Sequence, residues 1–170
     1  DVDDTAVVGM ALDRADSSAN DDALRRAAHW VIGMQSKNGG WGSFDVDNTH
    51  YYLNHIPFAD HGALLDPPTA DVSARCLSFL AQAGYDKDHP VLKAAVAYLR
   101  AEQEDDGSWF GRWGTNYVYG TWSVLSALNA NGIPPEDEAV RKAVAWLTLQ
   151  QRADGGWGED GATYWHEHKG

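Results

Sequence analysis

The sequence predicts an all-α fold, part of an α/α toroid in which inner and outer helices alternate in about three pairs. Three observations carry that prediction. One seven-residue pattern, Gln-x-x-x-Gly-x-Trp, occurs three times: Gln35 to Trp41, Gln103 to Trp109 and Gln151 to Trp157. Each copy has the same flank, an aromatic five residues before the Gln (Trp30, Tyr98, Trp146) followed by an aliphatic (Val31, Leu99, Leu147). A helical apolar period precedes each copy, and a second kind of helix alternates with the first. No segment reads as a strand.

The elements follow in order. Residues 2–12 (VDDTAVVGMAL) read as the first inner helix, with Asp at the end where the macrodipole favours negative charge. The outer helix before Gln35 places Leu24, Ala28, Val31 and Ile32 on one face and ends at a glycine turn. Residues 69–83 form an inner helix with Val72, Cys76, Phe79 and Leu80 together. The next outer helix carries Val91, Ala95, Tyr98 and Leu99. Residues 117–130 repeat the inner type with Thr121, Val124, Leu125 and Leu128, and the last outer helix carries Val140, Val144 and Leu147. Gln35, Trp41, Gln103, Trp109, Gln151 and Trp157 read as scaffold. Indole and carboxamide are expected to stack near a helix end, the amide satisfying free backbone groups at the next helix terminus.

The repeat interval is uneven, 68 residues from Gln35 to Gln103 and then 48 to Gln151. The surplus falls mainly in residues 42–68, rich in Asp, Asn, His, Pro and aromatics. A long irregular loop inside a regular repeat is usually functional. Three pairs are too few to close a ring. Residues 1–170 therefore read as part of one barrel domain, with a neighbour expected on each side.

Composition narrows the function. The chain has 170 residues, 44% of them hydrophobic, enough for a real core. It carries 13 Lys and Arg against 25 Asp and Glu, a net charge of −12. Nucleic acid is not the expected partner, because phosphate binding needs clustered basic charge. Cys76 is the single cysteine, which excludes an internal disulfide; it reads as a core residue. No apolar run is long enough to span a bilayer, and no secretory signal opens the chain.

The chemistry concentrates at the start. Asp1, Asp3 and Asp4 put three carboxylates in four positions. Like charges a few Å apart raise at least one pKa when water is excluded. A carboxylic acid kept protonated can donate a proton, even to a plain alkene. The alternative is an acidic helix cap and nothing more.

These residues resemble a known family. Asp1-Val2-Asp3-Asp4-Thr5 is similar to the Asp-x-Asp-Asp-Thr acid motif of the squalene–hopene cyclases, class II triterpene cyclases, and the three Gln/Trp stretches resemble their QW repeats. Further similar strings are NGGWGSFDVDN (38–48), NHIPF (54–58), DPPTADV (66–72), DGSWFGRWGTNYVYGT (106–121) and DGGWGED (154–160). The resemblance implies two α/α barrels, with this chain in the acid-bearing one. It implies cyclisation of squalene to hopene, with some hopanol where water traps the last cation. Oxidosqualene cyclases carry one acid Asp followed by Cys-Thr, suited to an epoxide; the richer cluster here implies the bare alkene. No metal or organic cofactor is implied. The implied location is the cytoplasmic face of a bacterial membrane, as a peripheral, monotopic protein contacting it outside this chain, with a homodimer left open.

The same resemblance assigns roles. Asp3 is the proton donor, and Asp1 and Asp4 hold it protonated and oriented. Asp71 belongs to the acid's support. Arg75 stands where some members have His; it either stabilises the aspartate left after proton transfer, binds Asp1 or Asp4, or forms a structural ion pair with Asp71. Ala59 stands where some members have Cys. Phe44 (often Tyr in the family), Trp113 and Tyr119 are the rings expected to face the carbocation. His55 is weighed as a neighbour of the acid or a loop residue, and His166-Glu167-His168 as solvated. Outside the resemblance three other readings stand: a glycoside hydrolase or lyase toroid, a non-catalytic toroid module, and a prenyltransferase-like subunit needing zinc.

Overall fold

The computed structural model describes residues 1–57 and 64–164. Ala59, Phe58 of the NHIPF string and His166-Glu167-His168 lie outside the described residues. Among those described there are five α-helices and no strand: α1 (Val2–Gly33), α2 (Ala70–Gln82), α3 (Pro90–Ala101), α4 (Tyr117–Ala130) and α5 (Glu138–Gln150). Two short 3₁₀ turns, Tyr51–His55 and Gly161–Tyr164, sit in the loops.

α1 is two helices joined end to end. Asp16 takes an extended conformation (φ −166°, ψ 95°), and its carboxylate accepts from the Ala19 N–H at 3.0 Å and the Ser18 hydroxyl at 2.8 Å. Asp16 is thus the N-cap of the second half. The first inner helix runs past residue 12 to this break, because Asp13, Arg14 and Ala15 offer no Gly or Pro to stop it. α2 and α4 end in one shared motif. Gly84 and Gly132 adopt φ +84° and +74°. The following N–H groups, of Tyr85 and Ile133, donate back to the Leu80 and Leu128 carbonyls. Closure of a helix by a left-handed glycine in this way satisfies two orphan carbonyls.

The Gln/Trp stretches form one turn, three times. Each indole N–H donates to a carbonyl in the last turn of the preceding helix: Trp41 to Val31 at 2.6 Å, Trp109 to Leu99 at 2.6 Å and Trp157 to Leu147 at 2.7 Å. Each Gln amide donates four residues ahead, to the Gly39, Gly107 and Gly155 carbonyls. Gln35 and Gln103 donate also to the carbonyls of Val91 and Ala139, in the first turns of α3 and α5. The expectation placed the amide on free groups at that terminus; it instead takes the second lone pair of a carbonyl already inside the helix.

The first half of α1, α2 and α4 lie side by side, with α3 packed on α2 and α5 on α4. One apolar core runs through all of them, including Val2, Phe79, Leu80, Leu99 and Leu128. A Cβ at Gly9 would fall 2.5 Å from the Phe79 ring, so this glycine sets the approach of α1 to α2. Cys76 is buried in that core, where desolvation pushes its thiol well above the ordinary range. One face assignment changes. Val144 is 50% exposed, and α5 instead buries Ala139, Ala143 and Trp146. Trp30 is exposed, unlike its counterparts Tyr98 and Trp146.

Candidate active site

The inner helices bring equivalent positions together at their N-terminal ends. Asp3, Asp71 and Tyr119 each stand two residues before a hydroxyl: Thr5, Ser73 and Thr121. The last two hydroxyls fix the register, accepting the backbone N–H of Trp41 at 2.8 Å and of Trp109 at 3.0 Å. Asp3, Asp71 and Tyr119 thus occupy the same place in α1, α2 and α4. One turn further along α2, Arg75 reaches all three.

The Arg75 guanidinium pairs with the Asp3 carboxylate through Nε and donates from Nη2 to the Tyr119 hydroxyl. It lies over the Tyr119 ring, 5.3 Å from the centroid, and its Nη2 is 3.9 Å from Asp71 Oδ2. The direct partner of Arg75 is therefore Asp3, and the Asp71 pairing is the longer one. Burial pushes the Asp3 carboxyl above its ordinary value; the Arg75 cation opposes this, and the negative charges of Asp71 and then Asp4 reinforce it. Desolvation of a carboxyl disfavours its charged form, which is the condition a proton donor needs.

Asp1 and Asp4 differ from Asp3 in setting. Both are exposed, and Asp1 Oδ1 caps the helix by accepting the Asp4 N–H at 3.1 Å. The helix-cap reading thus holds for Asp1, while the lift on Asp3 comes first from burial. Asp71 is fully buried. Its Oδ2 accepts the backbone N–H groups of Arg112 at 3.2 Å and Trp113 at 2.9 Å. This carboxylate grips the segment that carries Trp113.

The three candidate rings group around that segment. Phe44 and Trp113 meet edge to face, centroids 6.0 Å apart and planes at 90°. Tyr119 lies against the 111–114 segment, where a Cβ on Gly111 or Gly114 would strike its ring. A groove of about 660 Å³ reaches Arg75 between α1, α2 and α4, lined by Val7, Met10, Ser78, Trp122 and Ser126 among others. His55 is exposed, in the 3₁₀ turn Tyr51–His55. The six Gln and Trp residues of the repeats serve the turns.

Four residues escaped sequence reasoning. Buried Asp66 accepts three consecutive N–H groups, of Ser43, Phe44 and Asp45. Arg112 donates to the Leu65 carbonyl at 2.6 Å. Glu159 accepts the N–H of Asn116 at 3.0 Å and of Val118 at 2.6 Å, at the head of α4. The Tyr164 hydroxyl donates to the Gly114 carbonyl at 2.6 Å. The only signal for Asp66 was its place in the DPPTADV string.

Comparison with known proteins supplies the family. The family model for the squalene-hopene cyclase C-terminal domain matches residues 1–170. The chain is 66% identical over 133 residues to a squalene-hopene cyclase of Schizosaccharomyces japonicus, covering 78% of the chain and 20% of the relative. It is 63% identical over 145 residues to one of Zymomonas mobilis, covering 82% and 22%. Against one of Bradyrhizobium diazoefficiens it is 54% identical over 175 residues, covering 100% and 26%. The chain therefore spans only a fifth to a quarter of the length of these curated relatives. An all-helical repeat with half-buried Asp3 at the helix heads, matched by the family model over residues 1–170, places this chain in the squalene–hopene cyclase family.

Proposed function

We propose that this chain forms the acid end of an enzyme that protonates a terminal double bond of squalene and cyclises the resulting cation to hopene or hopanol. The observation that carries the reading is Asp3: a carboxyl held up by burial, in a cluster with Arg75 and Tyr119, next to exposed neighbours that lack that burial. Asp3 transfers its proton to one alkene carbon, and the positive charge forms on the other. Arg75, which keeps its own proton, then stabilises the Asp3 carboxylate left behind. Attack by successive double bonds moves the cation along the chain, and loss of a proton or capture of water ends the sequence. No atom leaves the skeleton, so the reaction is an isomerisation when it ends as hopene.

Phe44, Trp113 and Tyr119 offer π faces that attract a cation without adding to it. Squalene is an apolar chain dissolved in bilayers, so the intact enzyme draws it from a membrane surface. Among the described residues no helix is long and apolar enough to cross a membrane. The cavity needs walls from outside these residues, so the isolated chain is inactive.

The test is squalene turnover by the intact enzyme, read by mass spectrometry of the extracted lipids. Asp3→Asn is expected to lower turnover by between about 10² and 10⁴, the range for one side chain in acid catalysis. Wild-type turnover in that variant would end the proposal. Arg75→His, which restores the residue found in some members, retains more turnover than Arg75→Ala; equal and undiminished rates in both would remove Arg75 from the mechanism.

A further inference from the structure

Asp66 is a buried carboxylate far along the chain from the acid motif, and its hydrogen bonds converge on one short segment. Oδ1 accepts the Ser43 N–H at 3.1 Å; Oδ2 accepts the Phe44 N–H at 2.6 Å and the Asp45 N–H at 2.8 Å. A buried carboxylate is costly unless its lone pairs are filled, and successive N–H groups around one anion are the way a backbone fills them. Gly42 lets the two segments close up, since a Cβ there would lie 2.6 Å from the Asp66 carbonyl oxygen and 2.7 Å from Oδ2. The same segment is tied to the acid helix, because the Val2 N–H donates to the Ser43 carbonyl at 2.8 Å.

Asp71 does for Trp113 what Asp66 does for Phe44, accepting the N–H groups of Arg112 and Trp113. Arg112 joins the two holders, donating to the carbonyl of Leu65 beside Asp66. The edge-to-face pair of Phe44 and Trp113 is therefore fixed from behind by two buried carboxylates, one per ring.

We propose that Asp66 is a positioning residue: its carboxylate sets the Phe44 ring at the height and angle from which it stabilises an early cyclisation cation. The proposal rests on the cyclase reading above. A cation poorly held at this stage loses a proton to become an alkene before the remaining double bonds have attacked. A ring contact of this kind is worth a factor of between about 2 and 30. In Asp66→Asn an amide NH₂ faces backbone N–H donors, at least one bond is lost, and the 43–45 segment moves.

The experiment uses the intact enzyme with squalene as probe and reads the ratio of partly to fully cyclised products rather than the rate. Asp66→Asn is expected to raise that ratio by between about 2- and 30-fold. In a Phe44→Ala background the same substitution adds little further, because its target is gone; simple destabilisation multiplies with Phe44→Ala instead. A second, substrate-free readout is the ¹⁹F resonance of fluorophenylalanine placed at position 44, expected to shift and broaden in Asp66→Asn. If Asp66→Asn does not accumulate, Gly42→Ala presses on the same carboxylate and is read in the same two ways. An unchanged product ratio, an unchanged resonance, or full multiplication with Phe44→Ala each overturns the proposal. Failure of wild-type enzyme to cyclise squalene overturns the cyclase reading instead, and the resonance then still decides whether Asp66 positions Phe44.

Discussion

The first two Gln/Trp turns and the third have one geometry and different surroundings. All three make the indole-to-carbonyl bond and the Gln-to-Gly bond. Gly39, Gly107 and Gly155 share φ near +90° (93°, 97° and 86°). Yet Trp41 and Trp109 are 0% exposed and Trp157 is 46% exposed. Gln35 and Gln103 reach a carbonyl in the following outer helix, at Val91 and Ala139, whereas Gln151 has its local bond. The turn is thus encoded locally, by the Gly that supplies a left-handed residue and the Trp that caps a helix. Its contribution to stability depends on the helix pair packed over it.

That contrast sets the scale of three paired substitutions, each measured by urea denaturation of the 170-residue chain. Trp41→Ala or Trp109→Ala is expected to cost about 3–5 kcal/mol, the range for a fully buried large aromatic. Trp157→Ala is expected to cost about 1 kcal/mol, mainly the capping bond. Joining a following helix pair from a family member behind Gln151 raises the second figure toward the first; equal costs without it would mean that burial is not what separates the turns.

Gly39→Ala is expected to cost about 3 kcal/mol. The left-handed φ penalises any Cβ by about 1–2 kcal/mol, and here that Cβ also drives into the Ala94 carbonyl of α3. At Gly155 the space is open, so Gly155→Ala carries only the conformational part, about 1 kcal/mol. A Gly155 cost matching that of Gly39 would assign the whole effect to φ. The smallest of the three is the amide. Gln35→Ala or Gln103→Ala removes two bonds and is expected to cost about 1–2 kcal/mol, against about 0.5 kcal/mol for exposed Gln151→Ala.

What the sequence disclosed and withheld follows the same division between local and distant. The sequence predicts helix over 117–130, which α4 matches to the residue, and over 69–83, which differs from α2 by one residue at each end. Their apolar spacing and closing glycines lie within one element. The break at Asp16 was not legible as a boundary, because a capping Asp without Gly or Pro resembles any acidic surface residue. Val144 has the right period for the core face, but among the described residues it stays half exposed. At the site, Asp3 announced itself through the clustered acids, although Asp1 and Asp4 proved solvent-facing. Asp66 and the backbone grip of Asp71 were out of reach: their partners lie 21–23 and 41–42 residues away. No periodicity encodes a side chain bonding to distant amides.

The repeat gives the inner helices a second contrast. One register position holds Asp3, Asp71 and Tyr119, and Arg75 faces all of them. Asp3 combines partial burial, a carboxyl pKa raised by that burial, and a direct Arg75 pair. On the proposed mechanism protonated Asp3 is the donor, so activity of the intact enzyme is expected to fall as pH rises through its pKa, which burial sets above the usual 3.8. Stability has the same sign: the part Asp3 lends by binding a proton is complete below the unfolded pKa and is lost as pH rises through the folded one. Arg75 opposes the lift, so Arg75→Gln moves the alkaline limb of the pH–rate profile to higher pH while lowering the plateau rate. A limb that stays in place, or moves to lower pH, would show that the cation is not what holds Asp3 down and that the Arg75–Asp3 pair has no part in setting its proton affinity.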